Sequence, residues 1–347
     1  MNLDQSKLEP LLGQVVNELG AAQNAALVIV GDKLGLFRAL ADEPASPAEL
    51  ASKTGTVERY VREWLSAQAA SGYASYDAKT RKFSLTPEQA AVFAVEGPFN
   101  MAGGFTALPS AYEDHGRLAE AFKSGEGLGW GSRCNCLFCG TERLFATGYR
   151  ANLVSEWLPA LEGVVEKLNA GAKVADIGCG HGVSTIVMAE AFPKSNFVGF
   201  DFHDASIAHA RGYINGHKNV GFETARAQTF GGSSYDFVTM FDALHDMGDP
   251  VGAATHIRKK LKDDGTLMIV EPMAQDNLED NFNPVGRLFY AASTNFCVPA
   301  SLNQEVGTAL GAQAGEKKLR EVLSEAGFTR IRRAHATPFN IVLEARP

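Results

Sequence analysis

The chain lacks any apolar run approaching the ~20 residues that a membrane-spanning helix needs. Its opening, MNLDQSKLEP, lacks the basic and then apolar regions of a secretory leader. Positive charge is also short: 32 Lys and Arg stand against 40 Asp and Glu, a net charge of −8. That balance excludes broad affinity for nucleic acid or for anionic membrane surfaces. Cysteine is scarce, and five residues, an odd count, do not make the disulfide framework of a small secreted domain. A cytoplasmic location is expected. What is present is 45% hydrophobic and 21% charged residue over 347 positions, enough for a full core and incompatible with disorder. The length is about twice a typical domain, so two folding units are expected.

Apolar residues recur at helical spacing from Leu8 to about Leu40, which predicts two helices. Ser46, Pro47 and Glu49 then start a short helix that Gly55 closes, and a third helix is expected from Val57 to Ala70. The following YASYDAKTRKFSLT alternates around a turn, as a β-hairpin does. Helices followed by a hairpin make a winged helix. Between Pro44 and Ala90, however, six basic residues face five acidic ones, and the would-be recognition helix is rich in Val61, Trp64, Leu65 and Ala. Packing or dimerisation fits this composition better than DNA reading. A Gly-rich, aromatic stretch follows, and RANLVSEWLPALEGVVEKL reads as one amphipathic helix or a pair broken at Pro159. Strands and helices then alternate through KVADIG, NFVGFD, VGFETA, YDFVTMFD and TLMIVEP, the pattern of a parallel sheet covered on both faces. The strands TRIRRAH and NIVLEAR are joined by a short turn, so the last is expected to run antiparallel. The expected divisions are 1–97 for a winged-helix dimerisation domain, 98–150 for a linker and cover, and 151–347 for the α/β domain.

The sharpest local signal is VADIGCGHGVSTIVMA, a strand ending at Asp176 followed by Gly178, Gly180 and Gly182 and a helix. Glycine is needed where the chain turns tightly off the strand and lets a ligand approach the backbone. Asp176, two residues before the first glycine, suits a ligand ammonium and would repel a pyrophosphate. Asp201, closing the next strand, is spaced to accept hydrogen bonds from ribose hydroxyls. Taken as structure alone, the glycines close a turn and Asp201 caps a helix.

In this ordered set, with LKDDGTLMIVEP before the fifth strand, the sequence resembles the class I S-adenosylmethionine-dependent methyltransferases. The resemblance covers about Ala151 onward and implies an α/β, doubly wound, mostly parallel seven-stranded sheet. It implies that Asp176, Gly178 and Gly180 cradle the methionine part of S-adenosyl-L-methionine, that Asp201 holds the ribose, and that Phe202 packs on the adenine. Ala227, Gln228 and Phe241 are placed beside the same cofactor, although the family's adenine-binding Asp is missing from ETARAQTF. Many small-molecule O-methyltransferases carry a winged-helix dimerisation domain in front, which implies a homodimer acting on a small-molecule acceptor at oxygen or sulfur.

MFDALHDMGDP resembles the family's fourth-strand segment, in which a His-Asp pair follows the strand. His245 is thereby the candidate base and Asp246 its orienting neighbour, as the carboxyl edge of an α/β sheet is where ligands bind. Asp249 and Pro250 also read as a helix N-cap and first residue, so His245 could instead be a satisfied residue of a capping loop. The segment from Glu271 to Gly307 is too long for an ordinary connection and is expected to cover the site. Arg287, Tyr290 and Asn295 are its candidates for acceptor contact, and Glu271 can face the pocket. Cys134, Cys136 and Cys139 are close enough to share a soft metal or metalloid, to form a disulfide, or to stand as plain thiols. The alternatives are accordingly a metalloid methyltransferase using those three cysteines, a winged-helix regulator sensing S-adenosylmethionine, and a nicotinamide dehydrogenase.

Overall fold

Capping chemistry sets the N-terminal elements in the computed structural model, which describes residues 3–347. Asp4 accepts from the Ser6 amide at 3.0 Å to open the helix Gln5–Lys33. Ser46 and Glu49 form a reciprocal capping box on the helix Pro47–Thr54, and Gly55, in the left-handed region, ends it. The helix Glu58–Ala70 buries Val61, Trp64, Leu65 and Gln68, and the Trp64 indole donates to the Leu27 carbonyl at 2.8 Å. Its two arginines pair along the same helix with Glu63 and Glu58. Strands β1 (Ser75–Asp77) and β2 (Lys82–Ser84) form the antiparallel wing.

The chain divides into two compact units: residues up to Leu108 together with Cys139–Thr147, and Pro109–Phe138 together with Gly148 onward. Much of the stretch expected as a linker is helical, within Ala102–Ser124 and Asn135–Asn152. Its glycines serve close packing in the first unit. A Cβ on Gly103 would lie 2.6 Å from that of Arg143, so only glycine lets these segments approach so closely.

The second unit holds the seven-stranded sheet: β3 (Lys173–Ile177), β4 (Asn196–Asp201), β5 (Val220–Thr224), β6 (Tyr235–Phe241), β7 (Leu261–Pro272), β8 (Arg330–Ala336) and β9 (Asn340–Arg346). Their spatial order is β5-β4-β3-β6-β7-β9-β8. The first five are parallel, and β9 runs antiparallel to both β7 and β8. Composition explains why the later strand of the closing hairpin sits inside: Ile341, Val342 and Leu343 are buried, whereas β8 carries three arginines on the exposed edge. The segment around Pro159 does break. A five-residue π-turn, Leu153–Trp157, precedes a separate helix, Val164–Ala170.

Candidate active site

Asp176 lies at the carboxyl end of β3 with 1% of its surface exposed. One carboxylate oxygen accepts from Ser184 and Thr185 at 2.7 and 2.6 Å, and the other from Thr239 of β6 at 3.0 Å. Burial pushes its pKa up to about 6, although the three hydroxyls favour the ionised form. Asp176 thus ties the strand to the helix Val183–Ala191 and to β6, instead of standing open to a ligand. The hydroxyl partners belong to the same GVST turn and to β6, and sequence reading did not single them out.

The loop after it turns back on β4: the amides of Gly178 and Cys179 both donate to the Phe200 carbonyl, at 2.7 and 3.0 Å. Gly178 and Gly180 have φ of +72° and +52°, a region that L side chains rarely adopt. At Gly180 a Cβ would meet nothing within 4 Å, so the loop faces open space there. Asp201 accepts from the Gly180 amide at 2.9 Å and from the His203 amide at 2.8 Å, one on each oxygen. Burial raises its pKa and these two amides oppose the rise. Phe202 follows with 49% of its surface exposed, an uncovered apolar ring at the strand's end. A group with a polar diol and a flat apolar base fits these neighbours. Ala227 and Gln228 sit half-buried in the turn after β5, where the Gln228 amide donates to the Asp249 carbonyl at 3.3 Å. Phe241 ends β6 buried, 5.1 Å centroid to centroid from Tyr149.

Beyond β6 the site is made of titratable side chains. Asp242 adopts a left-handed φ of +48°, held by its amide donating to Val270 at 2.7 Å. Its carboxyl accepts from Tyr149 at 3.0 Å and from Asn340 of β9 at 3.1 Å. His245, in the short turn Leu244–Asp246, is 4% exposed and pairs through Nδ1 with Glu271 Oε2 at 2.5 Å. The other Glu271 oxygen accepts from the Leu244 amide at 2.9 Å, which fixes the turn to β7. His245 Nε2 lies 3.2 Å from Asp246 Oδ1. Burial alone would lower the imidazole pKa, but the carboxylates of Glu271 and Asp246 override it and raise it well above the ordinary value. Burial, with Glu271 close by, pushes Asp242 up to about 7. Burial raises Asp246 as well, so Asp242 and Asp246 hold their protons more tightly than isolated carboxyls do.

The capping loop is a separate feature. Asp249 accepts from the Gly252 amide at 2.8 Å and opens Pro250–Lys260, while His245 stays with Glu271. The long segment after β7 folds as Pro284–Ala292, a π-turn Ser293–Cys297, and Val298–Leu302. It is stitched to the His245 turn by Ser301 donating to the Met247 carbonyl and Gln304 donating to the Asp246 carbonyl, both at 2.8 Å. The side chain from this segment that reaches His245 is Cys297, whose thiol burial pushes up to about 12. Arg287 is exposed and Tyr290 is half-buried, while the Asn295 side chain bonds within its own helical segment, to Ala291, at 2.8 Å. The Asn295 carbonyl accepts from the buried Arg133 at 2.8 Å. Cys297, Tyr149, Asp242 and Asn340 went unread in the sequence. Only Asp242, next to the His-Asp pair, carried a signal. Of the three readings open for Cys134, Cys136 and Cys139, the structure shows the disulfide, between Cys134 and Cys136, which leaves no set of three thiols.

A family model described as a methyltransferase domain matches residues 168–327, and one described as an Rv2258c-like winged HTH domain matches residues 22–94. Over a shorter stretch of 116 residues, 30% of the chain, it is 29% identical to the highly reducing polyketide synthase resH of Aspergillus sclerotiorum, of which the match spans 4%. Among solved structures, mitomycin 7-O-methyltransferase MmcR aligns at a TM-score of 0.71 and 18% identity, covering 99% of this chain and 100% of that one. Human N-acetylserotonin methyltransferase, solved with SAM, aligns at 0.71 and 18% identity over 99% and 98% of the two chains. CalO1, a methyltransferase of calicheamicin biosynthesis solved with SAH, gives 0.68 and 18% identity with full coverage of both. These likenesses establish the fold: a Rossmann-like methyltransferase sheet with a helical winged-helix region ahead of it. The chain carries a methyltransferase domain. The stretch that matches the Rv2258c-like winged HTH model precedes it along the chain. No helix among the described residues is long and apolar enough to cross a membrane.

Proposed function

We propose that the protein transfers a methyl group from S-adenosyl-L-methionine to a hydroxyl oxygen of a small molecule. The observation that carries this reading is the buried His245–Glu271 pair on the same sheet edge as the Asp176–Gly180–Asp201 loop. The cofactor supplies a methyl group on a cationic sulfur, a leaving group that needs no general acid. Gly178 and Gly180 offer backbone to its methionine part, with Asp176 as the anchor of their loop. Asp201 takes the ribose hydroxyls, Phe202 covers the base, and Ala227, Gln228 and Phe241 border the same space. Glu271 holds the Nδ1 proton of His245, so Nε2 faces the acceptor and takes its hydroxyl proton as the new carbon–oxygen bond forms. Asp246 orients the turn. Arg287, Tyr290 and Asn295 contact the acceptor from the covering segment.

The divisions 1–97, 98–150 and 151–347 fit this reading as dimerisation region, cover and catalytic domain. The helix Gln5–Lys33 leaves Leu11, Leu12, Val15, Val16 and Leu19 exposed, an apolar face suited to a second copy of the chain. Sedimentation should therefore give twice the chain mass. A thermal shift with S-adenosylmethionine and with NAD tests the cofactor, since only a ligand of the native state raises the melting point. Release of S-adenosylhomocysteine across a panel of phenols and thiols then tests the acceptor atom. Stabilisation by NAD alone, or turnover confined to thiols, would defeat the reading.

A further inference from the structure

We propose that His245, Asp246 and Cys297 form a three-ligand site for a divalent cation of the zinc class, and that the bound ion shuts off methyl transfer. This rests on the base role given to His245 above. One ligating atom from each residue lies within 4.8 Å of those of the other two. Imidazole, carboxylate and thiolate are donors that zinc accepts, and three protein ligands leave one tetrahedral position open. Nδ1 of His245 is committed to Glu271 at 2.5 Å, which leaves Nε2 for a metal. A carboxylate behind a ligating histidine fixes its tautomer and strengthens it as a ligand. A second observation is independent of the donor set. Asp246 Oδ1 is buried and has no hydrogen-bond partner, with His245 Nε2 3.2 Å away. An unpaired buried acceptor is costly, and a cation between Nε2 and Oδ1 would satisfy it. His245 and Cys297 are also 4% and 8% exposed, so little water competes for the ion.

The ligands come from two elements, the turn after β6 and the π-turn Ser293–Cys297. An ion here would clamp the covering segment to the sheet edge and occupy the nitrogen that otherwise receives the acceptor's proton. The imidazole and thiol protons it displaces leave to solvent.

Cobalt(II), added to the full chain without cofactor, should bind at one equivalent with a thiolate-to-cobalt absorption band that zinc abolishes. The band should vanish in Cys297→Ser and persist in Cys139→Ser, and Asp246→Asn should weaken cobalt binding at least tenfold. Zinc at one equivalent should suppress methyl transfer in the wild type, with at least tenfold more needed in Cys297→Ser. Absence of the band, or a band unchanged in Cys297→Ser, overturns the cation site and leaves the base role untouched. A Cys297-dependent band with full turnover in the zinc-loaded protein overturns the shut-off, and the base role of His245 falls with it.

Discussion

Around Asp176 and Asp201 the sheet edge presents mostly backbone. Two glycines carry the loop, carboxylates brace it through amides and hydroxyls, and Phe202 stands uncovered beside it. Around His245, further along the same edge, the surface is made of side chains whose protonation states depend on one another. The first half is a rigid frame whose shape follows from local chain geometry. The second works only when residues from distant segments have arrived. One half should therefore govern affinity for the cofactor and the other the rate of transfer, and substitutions should separate the two.

The largest separation is expected from His245→Ala. Its turnover should fall about 10²- to 10⁴-fold, the usual contribution of a positioned base, with calorimetric affinity for S-adenosylmethionine unchanged. Asp201→Ala should do the reverse. Affinity should weaken about 10- to 100-fold, as loss of hydrogen bonds to a charged group implies, with turnover at saturation largely kept. Equal effects of either variant on both quantities would dissolve the comparison.

Glu271→Gln sharpens it through pH. Glu271 and Asp246 raise the His245 pKa, so the rate should rise as pH climbs through that raised value and the base becomes neutral. Removing one carboxylate should move that rise to lower pH and reduce the plateau about tenfold, near the contribution of one charge-assisted hydrogen bond. A pH profile that does not move would place the proton acceptor elsewhere. Asp242 bears on stability. Its folded pKa, pushed up to about 7, lies above that of an unfolded aspartate, so the folded chain holds the extra proton between about pH 4 and 7. Stability should decline as pH rises through that window, and urea midpoints of Asp242→Asn should decline less. The smallest effect is expected from Gly180→Ala. A left-handed φ without a steric clash should cost about 1 kcal/mol, read as a few degrees in Tm.

The same contrast explains what could be read in the sequence. The glycine loop and the place of Asp201 were legible because their geometry is local: a tight turn off a strand demands glycine within a few residues of Asp176, and a carboxylate ends the neighbouring strand. The alternation of strands likewise gave the parallel sheet. His245 was legible only through its place after β6. The partners of Asp242 were not, since Tyr149 and Asn340 reach it from 93 and 98 residues away and no spacing rule records such pairs. The stretch from Pro98 to Gly148 misled for a related reason. Its glycines looked like those of a loop, whereas Gly103 and Gly140 permit close packing of helical segments whose contacts only the fold reveals.

The insertion of β9 between β7 and β8 has a consequence for the order of assembly during synthesis. A ribosome delivers β3 through β5 more than a hundred residues before β9. The nascent chain can therefore close the glycine loop early, while β7 waits for its antiparallel neighbour and Asp242 for Asn340. Folding of this domain should be vectorial, with the binding half formed first and the reactive half completed last. The emerging chain would then hold its glycine loop before the cluster around His245 is complete.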